Sequence, residues 1–381
     1  MILKKRKIVF LTGTRADFGK LKSLIEITHN LPDFEVHIFV TGMHLLKEYG
    51  YTLIEIEKCG YENIYSFANH THETTMDLSL AKTIEGFSAF IKSTKPDLIV
   101  VHGDRIEAMA GAIVGALNNI RVAHIEGGEV SGTIDELIRH SVSKMSHIHF
   151  VSNEKAKERL IQMGEIPESI LVIGSPDVDL MLSDKLPNIE KVKSYYKINY
   201  PDYGIAMFHP VTTEFDEMQR YAKEFVDAII EFEKELVVIF PNNDLGSSFI
   251  LEEYRRLENN PKFRVFPSIR FEYFLTLLKN AKFIVGNSSA GIREAPYYGI
   301  PVVNIGSRQQ NRALHKDIIN CEYDKEEILN ALSLSMISKF DKEDLFGKGK
   351  SDKLFLEELQ TERFWNINRQ KQFVDISQIS L

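Results

Sequence analysis

Cysteine is nearly absent. Cys59 and Cys321 stand far apart in 381 residues and form neither a metal-ligand nor a redox spacing, which makes a reducing cytosol the natural home. Long apolar runs are missing too: none approaches the roughly 18 residues of a membrane span. The start, Lys4-Lys5-Arg6-Lys7 and then Ile8 to Leu11, faintly resembles a leader, but its apolar run is short and Arg15 and Asp17 follow at once, so it reads as a first strand. Basic side chains are in deficit, 46 against 54 acidic, for a net charge of −8. That argues against general nucleic-acid binding. A small anionic ligand held by a local Arg/Lys cluster remains open. The chain has no true internal repeat and no G-x-G-x-x-G turn, so a bound dinucleotide is not indicated. What is present, 44% hydrophobic and 26% charged residues, fits a soluble globular protein with room for two domains.

The most informative stretch runs from Asp97 to His149. Leu98 to Val101 and Arg121 to Ile125 are β-branched runs that end abruptly in glycine and carboxylates. Between them Ile106, Met109, Ile113 and Leu117 keep helical spacing. This is a β-α-β unit with parallel strands, whose ligand crevice lies beyond the strand carboxyl ends. Asp104 and Glu126 fall there, and Asp135 opens the next helix. Three carboxylates from one segment can meet over one ligand. Equally, Asp104 and Asp135 can simply cap helices.

Alternation extends over the whole chain. Strands are expected at Lys7 to Leu11, Glu35 to Val40, Ser146 to Val151 and Ile170 to Ile173. After a junction near Leu186-Pro187 they recur at Gly204 to Phe208, Leu236 to Phe240, Phe283 to Val285 and Val302 to Ile305. Helices are expected at Leu21 to Asn30, Leu45 to Cys59, Thr74 to Ser93, Asn153 to Met163, Glu214 to Lys234, Phe271 to Asn280 and Ala290 to Tyr298. The reading is an α/β chain of two doubly wound domains facing a cleft.

Several turns carry chemistry. Gly13 to Lys20 lies between a strand and a helix and adds Arg15 and Lys20 to backbone N–H groups, a ready anion site, although such turns are often plain loops. His209 ends a strand, and Asn242 sits in the turn after the next. Ser288 and Ser289 open a helix in a manner suited to a diphosphate, with simple capping as the bland alternative. Glu294 lies one turn in, placed to accept from two ribose hydroxyls, and Arg308 and Arg312 add positive charge. Together these favour a sugar-nucleotide site. His70 and His72 alternate in a polar loop without a third nearby ligand, so no metal is expected.

As a set, Gly13-Thr-Arg-Ala-Asp-Phe-Gly-Lys20, His102-Gly-Asp-Arg105, His124-Ile-Glu-Gly-Gly-Glu129, Gly132-Thr-Ile-Asp135, Arg139-His140, His209-Pro-Val-Thr212, Gly286 to Glu294 and Gly306-Ser-Arg-Gln309 resemble the hydrolysing UDP-N-acetylglucosamine 2-epimerases, which make N-acetylmannosamine for sialic acid synthesis. The likeness runs from about Lys7 to Asp375. Non-hydrolysing relatives typically carry Pro-Glu at Ala16-Asp17 and His-Arg-Arg-Glu-Asn at His209 to Thr213, so the departures favour the hydrolysing branch. A sister group acting on nucleotide-linked N,N′-diacetylbacillosamine for legionaminic acid shares nearly the same motifs. Phe271-Glu-Tyr-Phe274 and Ser288 to Pro296 look closer to the sialic acid branch.

The resemblance implies a GT-B-like fold: residues 1–186 as a Rossmann-like domain bearing the catalytic carboxylates, 187–362 as a Rossmann-like nucleotide domain, and 363–381 as a helix crossing back. It implies a UDP-sugar substrate, no cofactor or metal, no nucleic-acid or membrane partner, a cytoplasmic location, and a homodimer or homotetramer. It maps the catalytic groups onto Asp104, Glu126 and Asp135, leaving the C2 base undecided, with His209 joining them. Arg15, His209, Ser288, Ser289 and Arg308 would hold the diphosphate, Glu294 the ribose, Arg105 would orient a carboxylate or touch phosphate, and Lys20 and Asn242 complete the substrate contacts. A GT-B glycosyltransferase would share the fold and nucleotide site but would need an acceptor and no C2 base, and a non-catalytic sugar-nucleotide sensor would share the site but has no reason to carry three convergent carboxylates.

Overall fold

The structure, a computed structural model, describes residues 5–69, 75–309 and 315–375. The chain divides into two compact units: Met1–Glu129, Asp135–Ser183 and Leu345–Leu381 form the first, Val130–Ile134 and Asp184–Asp344 the second.

The first unit is built on seven parallel strands: β1 (Arg6–Thr12), β2 (Phe34–Val40), β3 (Ile64–Ser66), β4 (Leu98–His102), β5 (Arg121–Ile125), β6 (Ile148–Val151) and β7 (Ile170–Val172). Their order is β3-β2-β1-β4-β5-β6-β7, so the winding reverses between β1 and β4. Ile8 to Phe10 and Leu98 to Val101 are fully buried, as expected of strands covered on both faces by helices. The helix after β1 starts at Arg15 rather than Leu21, because the Thr14 side chain accepts from the Asp17 N–H and caps it there. Arg15, Asp17 and Lys20 are therefore helical residues, not loop residues.

The expected helix from Leu45 to Cys59 is instead two single turns, Gly42–Leu45 and Lys47–Tyr49, followed by Leu53–Glu57. Gly50, left-handed at φ 90°, separates them. The C-terminal return also begins earlier than 363. Ser351–Leu359 is its main helix, and Asp179 caps it by accepting from the Ser351 and Asp352 N–H groups at 2.8 and 2.9 Å. Phe355 packs on Phe10 and Phe150 with ring centroids 6.4 and 4.8 Å apart. Beyond Leu359 only Glu362–Trp365 is helical. The carbonyls of Ile367 and Arg369 accept from Arg121 Nε at 3.1 Å and His147 Nε2 at 3.0 Å, so they are used outward rather than in a helix.

The second unit has six parallel strands: β8 (Gly204–Met207), β9 (Leu236–Ile239), β10 (Phe263–Phe266), β11 (Ile284–Gly286), β12 (Val302–Ile305) and β13 (Ile319–Cys321). Their order, β10-β9-β8-β11-β12-β13, reverses between β8 and β11. The helix Met218–Glu231 packs Phe225 against Phe208, centroids 4.7 Å apart. Where one helix was expected from Ala290 to Tyr298 there are two, Ser289–Arg293 and Ala295–Tyr298. Pro296 has no N–H to continue the first. Each unit is thus a Rossmann-like doubly wound sheet, the GT-B-like class of fold. No helix among the described residues is long and apolar enough to cross a membrane.

Candidate active site

Ligands of doubly wound sheets gather where the strand order reverses, beyond the strand carboxyl ends. In the first unit that point lies beyond Thr12 and His102, and it collects charge. Asp104 follows β4 and accepts from Arg139, whose side chain is 2% exposed. The N-cap position of the following helix, Ile106–Leu117, belongs to Arg105, not Asp104. Glu126 follows β5, is buried, and takes φ 65°, a left-handed conformation uncommon for a residue with a side chain. Such outliers cluster at functional sites and cost about 1–3 kcal/mol each. One Glu126 oxygen accepts from the Ser175 hydroxyl, and the other lies 3.1 Å from His102 Nε2. Asp135 sits in the first turn of Ile134–Met145, the helix that carries Arg139.

Further charges surround these. His102 Nδ1 lies 2.9 Å from Asp17 Oδ1. Lys20 Nζ lies 3.1 Å from Asp177 and 3.9 Å from Glu126. Burial pushes the His102 pKa down, but the Glu126 charge and the hydrogen bonds to Asp17 and Glu126 outweigh it, and the value rises to about 9. His124, one strand away, goes the other way, to about 3, chiefly through burial. It is neutral: Nε2 donates to the Gly103 carbonyl at 2.8 Å, and the Ser143 hydroxyl lies 3.0 Å from Nδ1. Two expected substrate contacts have protein partners here. Arg15 pairs with Glu55 at 2.5 Å, and Arg105 Nε donates to the buried Glu107 at 3.3 Å.

In the second unit the reversal point is organised by Asn287, fully buried beyond β11. Its Oδ1 accepts from the His209 N–H at 2.7 Å, and its Nδ2 donates to the His209 carbonyl at 2.9 Å. Its own carbonyl accepts from Arg308 at 3.2 Å and Gln309 at 2.8 Å. This needs glycine at 286: at φ 132° a Cβ would sit 1.9 Å from the Met207 carbonyl oxygen. The Asn242 N–H donates to His209 Nδ1 at 3.1 Å, so a neutral His209 carries its proton on Nε2. Ser288 caps Ser289–Arg293 by accepting from the Ala290 N–H, and Glu294 follows that helix, 3% exposed. His70, His72 and Arg312 lie outside the described residues. Among the described residues no group of three or more His, Cys, Asp and Glu side chains is arranged to hold a metal ion.

Asp17, His102, Ser175, Asp177, Arg139 and Asn287 were not among the residues expected at a site. Their signal was present in outline, since each stands at a strand end, in the strand-to-helix turn after one, or in the helix behind it.

Polar and charged side chains at both reversal points are the arrangement of nucleotide-binding α/β enzymes. Residues 26–360 match the family described as UDP-N-acetylglucosamine 2-epimerase. A UDP-N-acetylglucosamine 2-epimerase of Neisseria meningitidis serogroup B is 48% identical over 376 residues, covering 98% of this chain and 100% of that protein. A UDP-N,N′-diacetylbacillosamine 2-epimerase (hydrolyzing) of Legionella pneumophila is 34% identical over 364 residues, 93% of this chain and 96% of that one. Methanocaldococcus jannaschii UDP-GlcNAc 2-epimerase, solved in complex with UDP-GlcNAc and UDP, shares the fold with a TM-score of 0.81 at 24% identity, over 93% of this chain and 99% of that one. The chain belongs to the UDP-N-acetylglucosamine 2-epimerase family and is an enzyme of that family.

Proposed function

We propose that this enzyme hydrolyses UDP-N-acetylglucosamine to UDP and N-acetylmannosamine, as a step toward sialic acid. The sugar C2–H is weakly acidic and has no adjacent carbonyl, so inversion there without a redox cofactor requires elimination. A base removes the C2 proton, its electron pair forms the C1=C2 bond, and the C1–O bond breaks with its pair on UDP. Water then adds to the 2-acetamidoglucal, oxygen to C1 and a proton to C2 from the opposite face. Asp104, Glu126 and Asp135 divide the work of base, acid and water delivery. His209, Ser288, Ser289 and Arg308 hold the diphosphate and stabilise it as it leaves. Asn242 fixes the His209 tautomer, and Glu294 takes the ribose. For Arg15 and Lys20 a phosphate contact requires exchange of their present partners, Glu55 and Asp177.

The observation that carries this reading is the gathering of Asp104 and Glu126 beyond β4 and β5, with Asp135 in the helix whose Arg139 holds Asp104. The hydrolysing character is supported by Ala16-Asp17 and His209-Pro-Val-Thr-Thr213, and by the Legionella relative's name. N-acetylglucosamine is preferred to diacetylbacillosamine because identity is 48% to the Neisseria protein against 34% to the Legionella one. A homodimer or homotetramer in the cytoplasm belongs to the same reading.

The test is incubation with UDP-N-acetylglucosamine and, separately, with UDP-linked diacetylbacillosamine, products identified by NMR. The reading expects N-acetylmannosamine and UDP from the first and little turnover of the second. Preferential use of the second would move the enzyme to the legionaminic acid branch, and accumulation of UDP-N-acetylmannosamine would make it non-hydrolysing.

A further inference from the structure

His102 closes β4 with a carboxylate on each ring nitrogen, Asp17 on Nδ1 and Glu126 on Nε2. A neutral imidazole has one N–H and can serve one of them; in the doubly protonated ring Nε2–H donates to Glu126 while the positive charge faces Asp17 Oδ1 as a close ion pair. Asp17 is itself immobilised. Its second oxygen accepts from the Gly13 N–H at 3.0 Å, and its own N–H is bound to Thr14 Oγ1 at 3.1 Å. Glu126 is held from the far side by Ser175, whose N–H donates to the Phe346 carbonyl at 2.6 Å. The row Asp17, His102, Glu126, Ser175 therefore has a fixed carboxylate at one end and a fixed hydroxyl at the other.

We infer that Asp17 and His102 are a positioning pair for Glu126: Asp17 holds the ring as an imidazolium, and the ring aims the Glu126 carboxylate and keeps it ionised for reaction at the sugar. This rests on the function proposed above, in which Glu126 is one of the reacting carboxylates.

The charges around the ring agree. The helix Arg15–His29 presents Asp17 and Lys20, the turn after β5 presents Glu126, and the helix Pro176–Met181 presents Asp177 to Lys20. Behind Asp17, the buried Glu107 packs against Gly13 and is held by Arg105. His44 and His124 are both driven to about 3, chiefly by burial, and bring no positive charge. Four anions against two cations, Lys20 and Arg105, favour a charged ring, in line with its rise to about 9. Asp104 differs, because its partner Arg139 is a guanidinium that does not titrate in the working range. Of the two carboxylates beyond β4 and β5, Glu126 is thus the one whose nearer cation, the His102 ring, loses its charge at high pH, with Lys20 Nζ remaining 3.9 Å away.

The consequence is a signed pH effect. In the wild type, turnover falls as pH rises through about 9 and the ring loses its proton. Asp17→Asn removes one of the anions that hold the charge, so the alkaline limb of kcat moves to lower pH by about one unit or more, the usual worth of a close opposite charge. KM for UDP-N-acetylglucosamine stays within about twofold, since neither residue is assigned to the nucleotide. His102→Gln lowers kcat at pH 7.5 by about tenfold or more, short of the hundredfold or larger loss expected when a reacting carboxylate is removed.

The experiment is the kcat and KM profile of wild type, Asp17→Asn and His102→Gln from pH 6 to 10, with UDP binding by calorimetry as the check on folding. Alongside it, the His102 ring of resting wild-type enzyme is titrated by 13C NMR with labelled histidine, assigned through His102→Gln. The inference expects a protonated ring at pH 7.5, a downward-shifted alkaline limb in Asp17→Asn and an unchanged KM. A neutral ring at pH 7.5, or variants that bind UDP and track the wild-type profile while the wild type is active, overturns this inference alone. A wild-type enzyme that releases no UDP overturns the functional reading and this inference together.

Discussion

Arg139, buried in the helix Ile134–Met145, donates to the carboxylate of Asp104, which stands 35 residues earlier beyond β4. The same guanidinium donates to the Glu129 carbonyl at 3.3 Å. Removing one partner of a fully buried ion pair typically costs about 3–5 kcal/mol, and less where the group left behind is part-open to solvent, as Asp104 is at 27% exposure. Arg139→Ala is therefore expected to lose stability by less than that in chemical denaturation and to lose turnover with it. Arg139→Lys keeps the charge but not the planar fork, and should fall between. Wild-type stability in Arg139→Ala would show that the pair holds nothing.

Asp104→Asn, Glu126→Gln and Asp135→Asn should each retain UDP binding and lower turnover about 10²-fold or more, the usual worth of a positioned acid or base, with Asp104→Asn also losing stability because the buried Arg139 guanidinium loses its carboxylate. If these residues only capped helices, an amide would serve nearly as well and activity would stay near wild type. A variant lacking only the group that delivers water should still eliminate, and 2-acetamidoglucal should accumulate in its reaction mixture.

Arg308→Ala should weaken UDP binding. A charged hydrogen bond to phosphate is worth ~1.5–3 kcal/mol, so the calorimetric Kd should rise roughly ten- to a hundredfold. Asn287→Ala should reach the same site indirectly, because it orphans the N–H and carbonyl of His209 at a cost of about 1–3 kcal/mol for each buried group. Unchanged UDP affinity in both variants would place the anion site elsewhere.

Glu165 offers an acid-stability test away from the site. Burial raises its pKa, but the hydrogen bond and charge of His149, with Lys371 and Lys144, outweigh that and pull it to about 2. A depressed carboxylate stabilises the fold above its ordinary range, near 4.5, and that stability is lost as pH falls toward 2. Lys371 belongs to the C-terminal return and donates to the Ser143 carbonyl at 2.9 Å. Trp365, the only tryptophan, is buried in the same return and reports on it by fluorescence. Glu165→Gln should remove about 1–3 kcal/mol near neutral pH and flatten the acid dependence between 4.5 and 2. An identical acid transition in the variant would refute this.

The central strands were legible because parallel strands buried on both faces are written as unbroken apolar runs, as in Ile8 to Leu11 and Leu98 to Val101. The strands the sequence reading did not anticipate are all at or beside an edge: β3, β10 and β13, of three or four residues, partly open to solvent and without such a run. Asp104 and Glu126 were legible because each follows a readable strand. Asp17 and His102 stood in recognised motifs, but their meeting was not legible. It depends on sheet order setting β1 beside β4, and on a Thr14 cap starting the helix early enough to turn Asp17 inward. The grip of Ser175 on Glu126 was hidden for the same reason, since 49 residues separate them and only the β5-β6-β7 order brings them together. The C-terminal helix was expected at 363–381 only as something the resemblance implied, whereas the longer helix of the return is Ser351–Leu359, which buries Phe355 and Leu359, and only Glu362–Trp365 is helical beyond it.

The central claim is cleavage by elimination across C1–C2, and one measurement addresses it directly. UDP-N-acetylglucosamine is turned over in deuterated water and the released sugar is analysed by NMR and mass spectrometry. The account predicts N-acetylmannosamine with one solvent deuteron at C2 for every UDP released. N-acetylmannosamine that retains the original C2 proton, or release of UDP with N-acetylglucosamine as the only sugar, would contradict it.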